Sequence, residues 1–291
     1  MQKVTKAVIP TAGLGTRFLP VTKAVPKSML PILDTPTVDY IVDEAVAAGI
    51  TDIIIITSHN TDVIERHFAE NLPLEKRLVA DGKTELYEIL KKITSRAKIT
   101  FVKQDVLNGL AGALLCAEDL LAGEPFALLL GDEVIYTKAG QKPCIRRLCE
   151  AYEKTGKTVL STMRVEKSEI SKYGNIGVKT DGDIKEVYAL KEKPAAGEEL
   201  SDYAIIGRYV LDGDIFKEIR KLKMHGSEII LTDAFQALAE RGEIVASEFD
   251  GIRYDVGDKA GYVQANVEYA LRDGTIGEKM KKYIAALAEK L

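Results

Sequence analysis

Residues 53–56 are four isoleucines in a row, and no other feature limits the possible folds of this chain so strongly. Neighbouring side chains of a strand point to opposite faces, so a strand with a β-branched apolar residue at every position must be covered on both. A central parallel strand between two helical layers meets that condition, and the flanking sequence supplies the layers. Residues 37–48 (TVDYIVDEAVAA) carry Val38, Ile41, Val42 and Ala45 at helical spacing, with Gly49 as the stop. A short strand at 7–10 comes before them. A helix around 62–70, a strand at 99–104, a helix near 109–121 and a strand at 126–131 follow the isoleucines. This alternation predicts an α/β fold with a Rossmann-like, mostly parallel central sheet flanked by helices.

The pattern changes after about residue 157. KTVLSTMRV reads as a strand, and GVKTDGDIKEVYAL as a hairpin around Asp181-Gly182, a dipeptide suited to the positive φ angles of a tight turn. AIIGRYVL and IVASEF are further strands, with helices at 213–222 and 232–241. The last thirty or so residues read as helical, with Tyr262, Ala265, Val267, Tyr269 and Leu271 partly apolar. An added antiparallel β section and a helical C-terminus are therefore expected. With no linker or repeat in evidence, residues 1–291 read as one domain.

Composition narrows the function. With 40 Lys+Arg against 44 Asp+Glu the net charge is −4, without the basic excess of a nucleic-acid binder. The apolar start of the chain is too short for a signal peptide, and no window approaches the roughly 18 apolar residues of a membrane span. Cys116, Cys144 and Cys149 are sparse, odd in number and without CxxC spacing, as in a reducing compartment. A cytoplasmic protein that binds neither membrane nor nucleic acid is expected. His59 and His67 are eight residues apart and His225 is remote, so no histidine metal cluster is expected.

The segment richest in chemistry is Gly13-Leu14-Gly15-Thr16-Arg17-Phe18-Leu19-Pro20, between the first strand and an expected helix. Glycines let successive N–H groups converge on phosphate oxygens. The GxxxxGK[ST] of a P-loop is absent. A dinucleotide fingerprint would need a third glycine where Phe18 stands, which opposes an oxidoreductase using NAD(P)H. What remains is a turn with cations behind it: Arg17 is a planar fork, and Lys23 and Lys27 follow, Lys27 aimed by Pro26. A site that must stabilise charge on a departing pyrophosphate needs such groups. Asp132, at the end of the FALLLG run, and Asp255, after a second strand-like run, could offer Mg²⁺ two carboxylates.

IPTAGLGTRFLPVTKAVPKSMLPILDTP resembles the signature loop of the sugar-1-phosphate nucleotidyltransferases, and more closely that of the bacterial UTP–glucose-1-phosphate uridylyltransferases. The resemblance continues in order through EAVAAGITDIIIIT, EPFALLLGDE, KYGNIGV, KEKP, AIIGRYVL, SEIILTDAF and RYDVGDKAGY. It implies the nucleotidyltransferase fold, with a nucleotide-binding half at 1–135, a sugar-phosphate-binding half at 136–257 and C-terminal helices at 258–291. The implied reaction joins UTP and glucose 1-phosphate into UDP-glucose and pyrophosphate with Mg²⁺, in a homodimer or homotetramer.

The resemblance also implies site residues. Arg17, Lys27 and Lys193 would be catalytic, and Asp132 and Asp255 would hold the metal. Ala12, Gly13, Leu14, Gly15, Thr16, Gln104 and Gly109 would line the nucleotide with Arg17 and Lys27, Gln104 reading the uracil edge. Gly174, Glu192, Lys193, Gly207 and Glu228 would line the sugar phosphate. Read alone, Glu192-Lys193 is an ordinary solvated pair. Strand neighbours point oppositely, so one site could use both only where the strand is distorted or ends.

Several positions depart from the family pattern. Thr11 replaces an alanine beside the base, Ser28 replaces a glutamate expected near the triphosphate, and Glu133 replaces a second aspartate. Residues 108–113 read NGLAGA where the family has GLGHA after the first residue, so a positive φ at Ala111 would strain the loop. These departures leave two alternatives open. One is the same chemistry with dTTP; the other is a paralogue that binds UDP-glucose or UTP without turning over.

Overall fold

A computed structural model describes residues 2–58 and 62–290 of the chain. The strands are β1 (Lys6–Pro10), β2 (Pro31–Ile32), β3 (Thr35–Pro36), β4 (Asp52–Thr57), β5 (Lys98–Lys103), β6 (Phe126–Leu129), β7 (Glu133–Tyr136), β8 (Thr158–Arg164), β9 (Gly174–Val178), β10 (Lys185–Glu192), β11 (Tyr203–Leu211), β12 (Ile244–Glu248) and β13 (Ile252–Asp255). The helices are α1 (Thr37–Ala47), α2 (Asp62–Phe68), α3 (Leu72–Ala80), α4 (Thr84–Ser95), α5 (Gly109–Leu115), α6 (Glu118–Leu121), α7 (Cys144–Thr155), α8 (Ile215–Ile219), α9 (Leu231–Glu240), α10 (Lys259–Arg272) and α11 (Gly277–Ala288).

Nine strands form one sheet in the order β5-β4-β1-β6-β11-β8-β12-β10-β9. β5, β4, β1 and β6 are mutually parallel, as are β8 and β12, while β11 and β10 run against their neighbours. The expected added antiparallel strands are present, and they continue the parallel sheet.

The isoleucine run divides as its alternation requires. Ile54 and Ile56 join Val8 in one core layer, under α5, α6, α8 and α9. Ile53 and Ile55 join Ala7 and Ile9 in the other, under α1 and α7. Burial of such side chains on both faces is worth about 1.5–3 kcal/mol each and makes the central strands the rigid base of the cleft. In α7, Ile145, Leu148, Cys149 and Tyr152 share one buried stripe. α10 lays Ala265, Tyr262 and Tyr269 against a small core around the β7–β13 ribbon, whereas in α11 only Gly277 is buried.

Several local expectations are corrected. No α-helix follows the glycine-rich turn; three single 3₁₀ turns lie at 16–18, 21–23 and 27–29, broken by Pro20 and Pro26. The helix expected at 109–121 is two helices, and the one at 213–222 shrinks to α8. β9 and β10 are joined by residues 179–184, and Gly182 is not among the positive-φ residues. Asp181 instead accepts hydrogen bonds from Lys185 at 3.1 Å, Arg164 at 3.1 Å and the Tyr203 hydroxyl at 2.8 Å, which favours a wider loop. Ala111 lies inside α5 without a positive φ, so the anticipated strain is absent; Gly109 takes the left-handed position with φ +90°.

Among the described residues no helix is long and apolar enough to cross a membrane, and all three cysteines are free thiols.

Candidate active site

Three cavities meet at the carboxyl ends of β1, β5 and β6. The first, of about 490 Å³, is lined by residues 12–16, Gln104 and Gly109, among others. The second, of about 450 Å³, is lined by Gly174, Glu192, Lys193, Gly207 and Glu228. Leu110 and Glu228 belong to both. A third pocket of about 190 Å³ holds Arg17, Lys27 and Asp132, and shares Gly15 and Thr16 with the first. Of the expected site residues, only Asp255 is outside all three linings, and its carboxylate still faces Asp132 across Gly257.

The glycine-rich turn is built by its own local bonds. Gly15 sits at φ +62°, a conformation that disfavours any Cβ, and its carbonyl accepts from the Phe18 N–H at 3.0 Å and the Thr22 hydroxyl at 2.7 Å. Phe18, where a dinucleotide-binding turn would have glycine, is buried edge-on against Tyr262 of α10, with ring centroids 5.5 Å apart. Thr11 turns into the sheet, its hydroxyl donating to the Ile56 carbonyl at 2.9 Å, and does not line the cavity.

The cations behind the turn differ in their partners. Arg17 is exposed, with no ion pair among the described residues. The Lys27 ammonium donates to Asp132 Oδ2 at 2.7 Å. Lys23 is exposed and lines none of the three cavities. Ser28 is buried with its hydroxyl unpartnered and lines none of the three cavities.

Asp132 and Asp255 converge on one point. A Cβ placed on Gly257 would fall 2.8 Å from Asp132 Oδ2 and 3.0 Å from Asp255 Oδ1. Burial pushes the Asp255 carboxyl above the ordinary carboxylate range; Arg253 opposes this and Asp132 adds to it. Two carboxylates beside a phosphate-sized pocket are a donor set that fits Mg²⁺, which takes one or two carboxylates and completes its shell with phosphate and water. Among the described residues no group of three or more His, Cys, Asp or Glu is gathered for a metal. His67 pairs with Asp39 and His225 with Asp233, while His59 lies outside the described residues.

In the second cavity β10 ends at Glu192, and Lys193 takes φ +42°. That left-handed backbone before Pro194 breaks strand alternation and brings both side chains into one cavity, Lys193 Nζ lying 3.5 Å from Glu192 Oε1. Such a conformation in a non-glycine residue costs about 1–3 kcal/mol, and the Lys193 N–H donates to the Tyr173 carbonyl at 3.1 Å to fix it. Thr232 donates to Glu192 Oε2 at 2.7 Å.

Glu133 and Arg253 form the wall between the sugar-side cavity and the carboxylates. Glu133 accepts from the Gly207 N–H at 3.0 Å and from Arg253 at 3.0 and 2.8 Å. Burial opposes the Arg253 cation, but Glu133 outweighs it and keeps the guanidinium charged. Arg253 also lies over the Tyr173 ring, 5.3 Å from its centroid. Sequence reasoning missed Arg253, Tyr173 and Thr232. The first had a usable signal, because Arg253 and Asp255 are two apart on one strand and so share a face.

Known proteins resemble this chain over nearly its whole length. Residues 6–272 match the family described as Nucleotidyl transferase. A UTP–glucose-1-phosphate uridylyltransferase 2 of Staphylococcus saprophyticus is 45% identical over 99% of this chain and 99% of its own. A UTP-bound UGPase from Acinetobacter baumannii superposes with a TM-score of 0.90 at 32% identity, covering 97% of this chain and 99% of its own. A UDP-glucose pyrophosphorylase complexed with UDP-glucose gives a TM-score of 0.84 at 33% identity, covering 93% and 100%.

Proposed function

The chain belongs to the UTP–glucose-1-phosphate uridylyltransferase family of the nucleotidyltransferases, and from that premise we propose that it converts UTP and glucose 1-phosphate into UDP-glucose and pyrophosphate. The observation that carries the reading is the joined cleft: a nucleoside-sized and a sugar-sized cavity share Leu110 and Glu228, and a small basic pocket adjoins the glycine-rich turn.

In this reading an oxygen of the sugar 1-phosphate attacks the α-phosphorus of UTP. The bond from that phosphorus to the bridging oxygen of the β-phosphate breaks, and pyrophosphate leaves with its electron pair. The attacking oxygen is already anionic near neutral pH, so no general base is required. The protein's work is alignment and charge stabilisation. Residues 12–16 offer backbone to the nucleotide, and Gln104 offers its amide to the base. Arg17 and Lys27 balance charge growing on the leaving group, and Lys193 holds the acceptor phosphate while Glu192 engages a sugar hydroxyl. Asp132 and Asp255 would hold Mg²⁺, which when bound neutralises phosphate charge.

The test is pyrophosphate release with UTP, glucose 1-phosphate and Mg²⁺, run beside dTTP and an EDTA control. Fast release that prefers UTP and stops with EDTA is expected. A preference for dTTP would move the substrate and keep the chemistry. No release from folded protein under either pairing would leave a nucleotide-sugar-binding protein without turnover.

A further inference from the structure

Gln104 closes the inner end of the nucleoside cavity and is only 4% exposed. An amide in that position can present either its oxygen or its NH₂ to a base, and the two ends select different partners. Here the NH₂ end is occupied. Gln104 Nε2 donates to Asn108 Oδ1 at 3.1 Å and, over a longer 3.4 Å, to the Gly109 carbonyl. Among the described residues Gln104 Oε1 accepts no hydrogen bond.

Asn108 stands at the N-cap of α5, where an asparagine side chain ordinarily accepts from the N–H groups of the first turn. It makes no such bond and reaches Gln104 instead. The space for this comes from Gly112. A Cβ there would lie 1.8 Å from Asn108 Oδ1 and 2.3 Å from its Cγ. Any larger residue at 112 would therefore turn the Asn108 side chain away from Gln104.

We infer that Asn108, seated against Gly112, is a positioning residue that fixes the Gln104 amide with its oxygen toward the nucleoside, so that the cavity selects a pyrimidine carrying N3–H over one carrying an N3 lone pair. Uracil and thymine have that hydrogen; cytosine has an acceptor in its place and would set two lone pairs against each other. The inference rests on the uridylyltransferase reading above. Without Asn108 the amide keeps only its long bond to Gly109, and it can rotate to offer NH₂.

The experiment compares UTP, CTP and dTTP as substrates, by kcat/KM with glucose 1-phosphate and Mg²⁺, in the full-length wild type, Asn108→Ala, Gly112→Ala and Asn108→Asp. The UTP:CTP ratio is expected to fall about tenfold in Asn108→Ala and Gly112→Ala, consistent with one misplaced buried hydrogen-bond partner. Asn108→Asp keeps the accepting oxygen and should keep the ratio. UTP and dTTP both carry N3–H, so their ratio should not move in any variant, nor should the KM for glucose 1-phosphate. Wild-type selectivity surviving in both alanine variants would overturn this inference and leave the reaction standing. A change in the UTP:dTTP ratio equal to that in UTP:CTP would also overturn it, by showing a general disturbance. A wild type that does not prefer UTP to CTP would overturn the inference together with the reading beneath it. If Gly112→Ala fails to fold, Asn108→Ala with its Asn108→Asp rescue decides the question.

Discussion

On the nucleoside side of the cleft, one continuous stretch, residues 12–16, supplies five lining residues, and Gln104, Leu107, Gly109 and Leu110 add a second short segment. On the sugar side the lining is drawn from β7, β9, the end of β10, β11 and α9, and it depends on buried charge. Glu133 and Arg253 face each other there with side chains about a tenth exposed. The first wall is mostly backbone and turns on φ angles; the second is mostly side chains and turns on ion pairs and hydrogen bonds. Damage to the two should therefore differ in kind as well as in which substrate it affects.

The largest effect is expected from Glu133→Ala. It leaves the Gly207 N–H without its carboxylate and the Arg253 guanidinium with only the longer 3.5 Å contact to Asp255, and removing one partner of a buried pair costs about 3–5 kcal/mol. Denaturant unfolding should show that loss, with a raised KM for the sugar phosphate and little change for the nucleotide. Stability within 1 kcal/mol of wild type would break the claim that this wall depends on buried charge. Lys27→Ala is expected to be the reverse case. Lys27 is partly exposed, so the fold should survive, while loss of one charge-stabilising donor lowers kcat by about 10²–10³. A rate within tenfold of wild type would remove Lys27 from the chemistry.

Gly15→Ala should come next. An alanine at φ +62° costs about 1–2 kcal/mol, and its Cβ would meet Thr22 Cγ2 at 3.0 Å. The turn would relax at the expense of the triphosphate, raising the KM for UTP about tenfold and leaving that for glucose 1-phosphate alone. Equal shifts in both constants would show that the two walls are not independent.

The same contrast governs how much could be read from sequence. The isoleucines at 53–56 dictated two-sided burial, and the glycine-rich turn announced a phosphate-sized concavity, because each signal lies in adjacent residues. Helix α7 was overlooked although positions 145, 148, 149 and 152 carry a clear helical stripe. Helices α3 and α4 were also overlooked: Leu86 and Ile89 of α4 are exposed, and only its Ile93 packs, partly buried, against the core under α1 and α7. The sugar-side residues were reached only through family resemblance. Strand alternation alone would send Glu192 and Lys193 to opposite faces, and no glycine or asparagine marks the left-handed turn at Lys193 that reunites them. Strain at Ala111 was anticipated from a missing glycine, but the helix begins two residues earlier, at Gly109, and absorbs Ala111 without it.

The finest separation of the two walls comes from Thr232→Val. The hydroxyl of Thr232, at the start of α9, donates to Glu192 Oε2 at 2.7 Å, and Glu192 Oε1 lies 3.5 Å from Lys193 Nζ. Valine keeps the shape of threonine and deletes only that donor, so helix and cavity should persist. A hydrogen bond to a carboxylate at a partly exposed position contributes about 1–2 kcal/mol, and part of it is regained from water. The KM for glucose 1-phosphate should rise several-fold, with kcat and the KM for UTP unchanged. Thr232→Ser, which keeps the donor and loses a methyl group, should restore the wild-type value. If valine keeps the wild-type KM and serine raises it, packing of the methyl group rather than the hydroxyl orients Glu192. The sugar wall would then be set by shape rather than by hydrogen bonding.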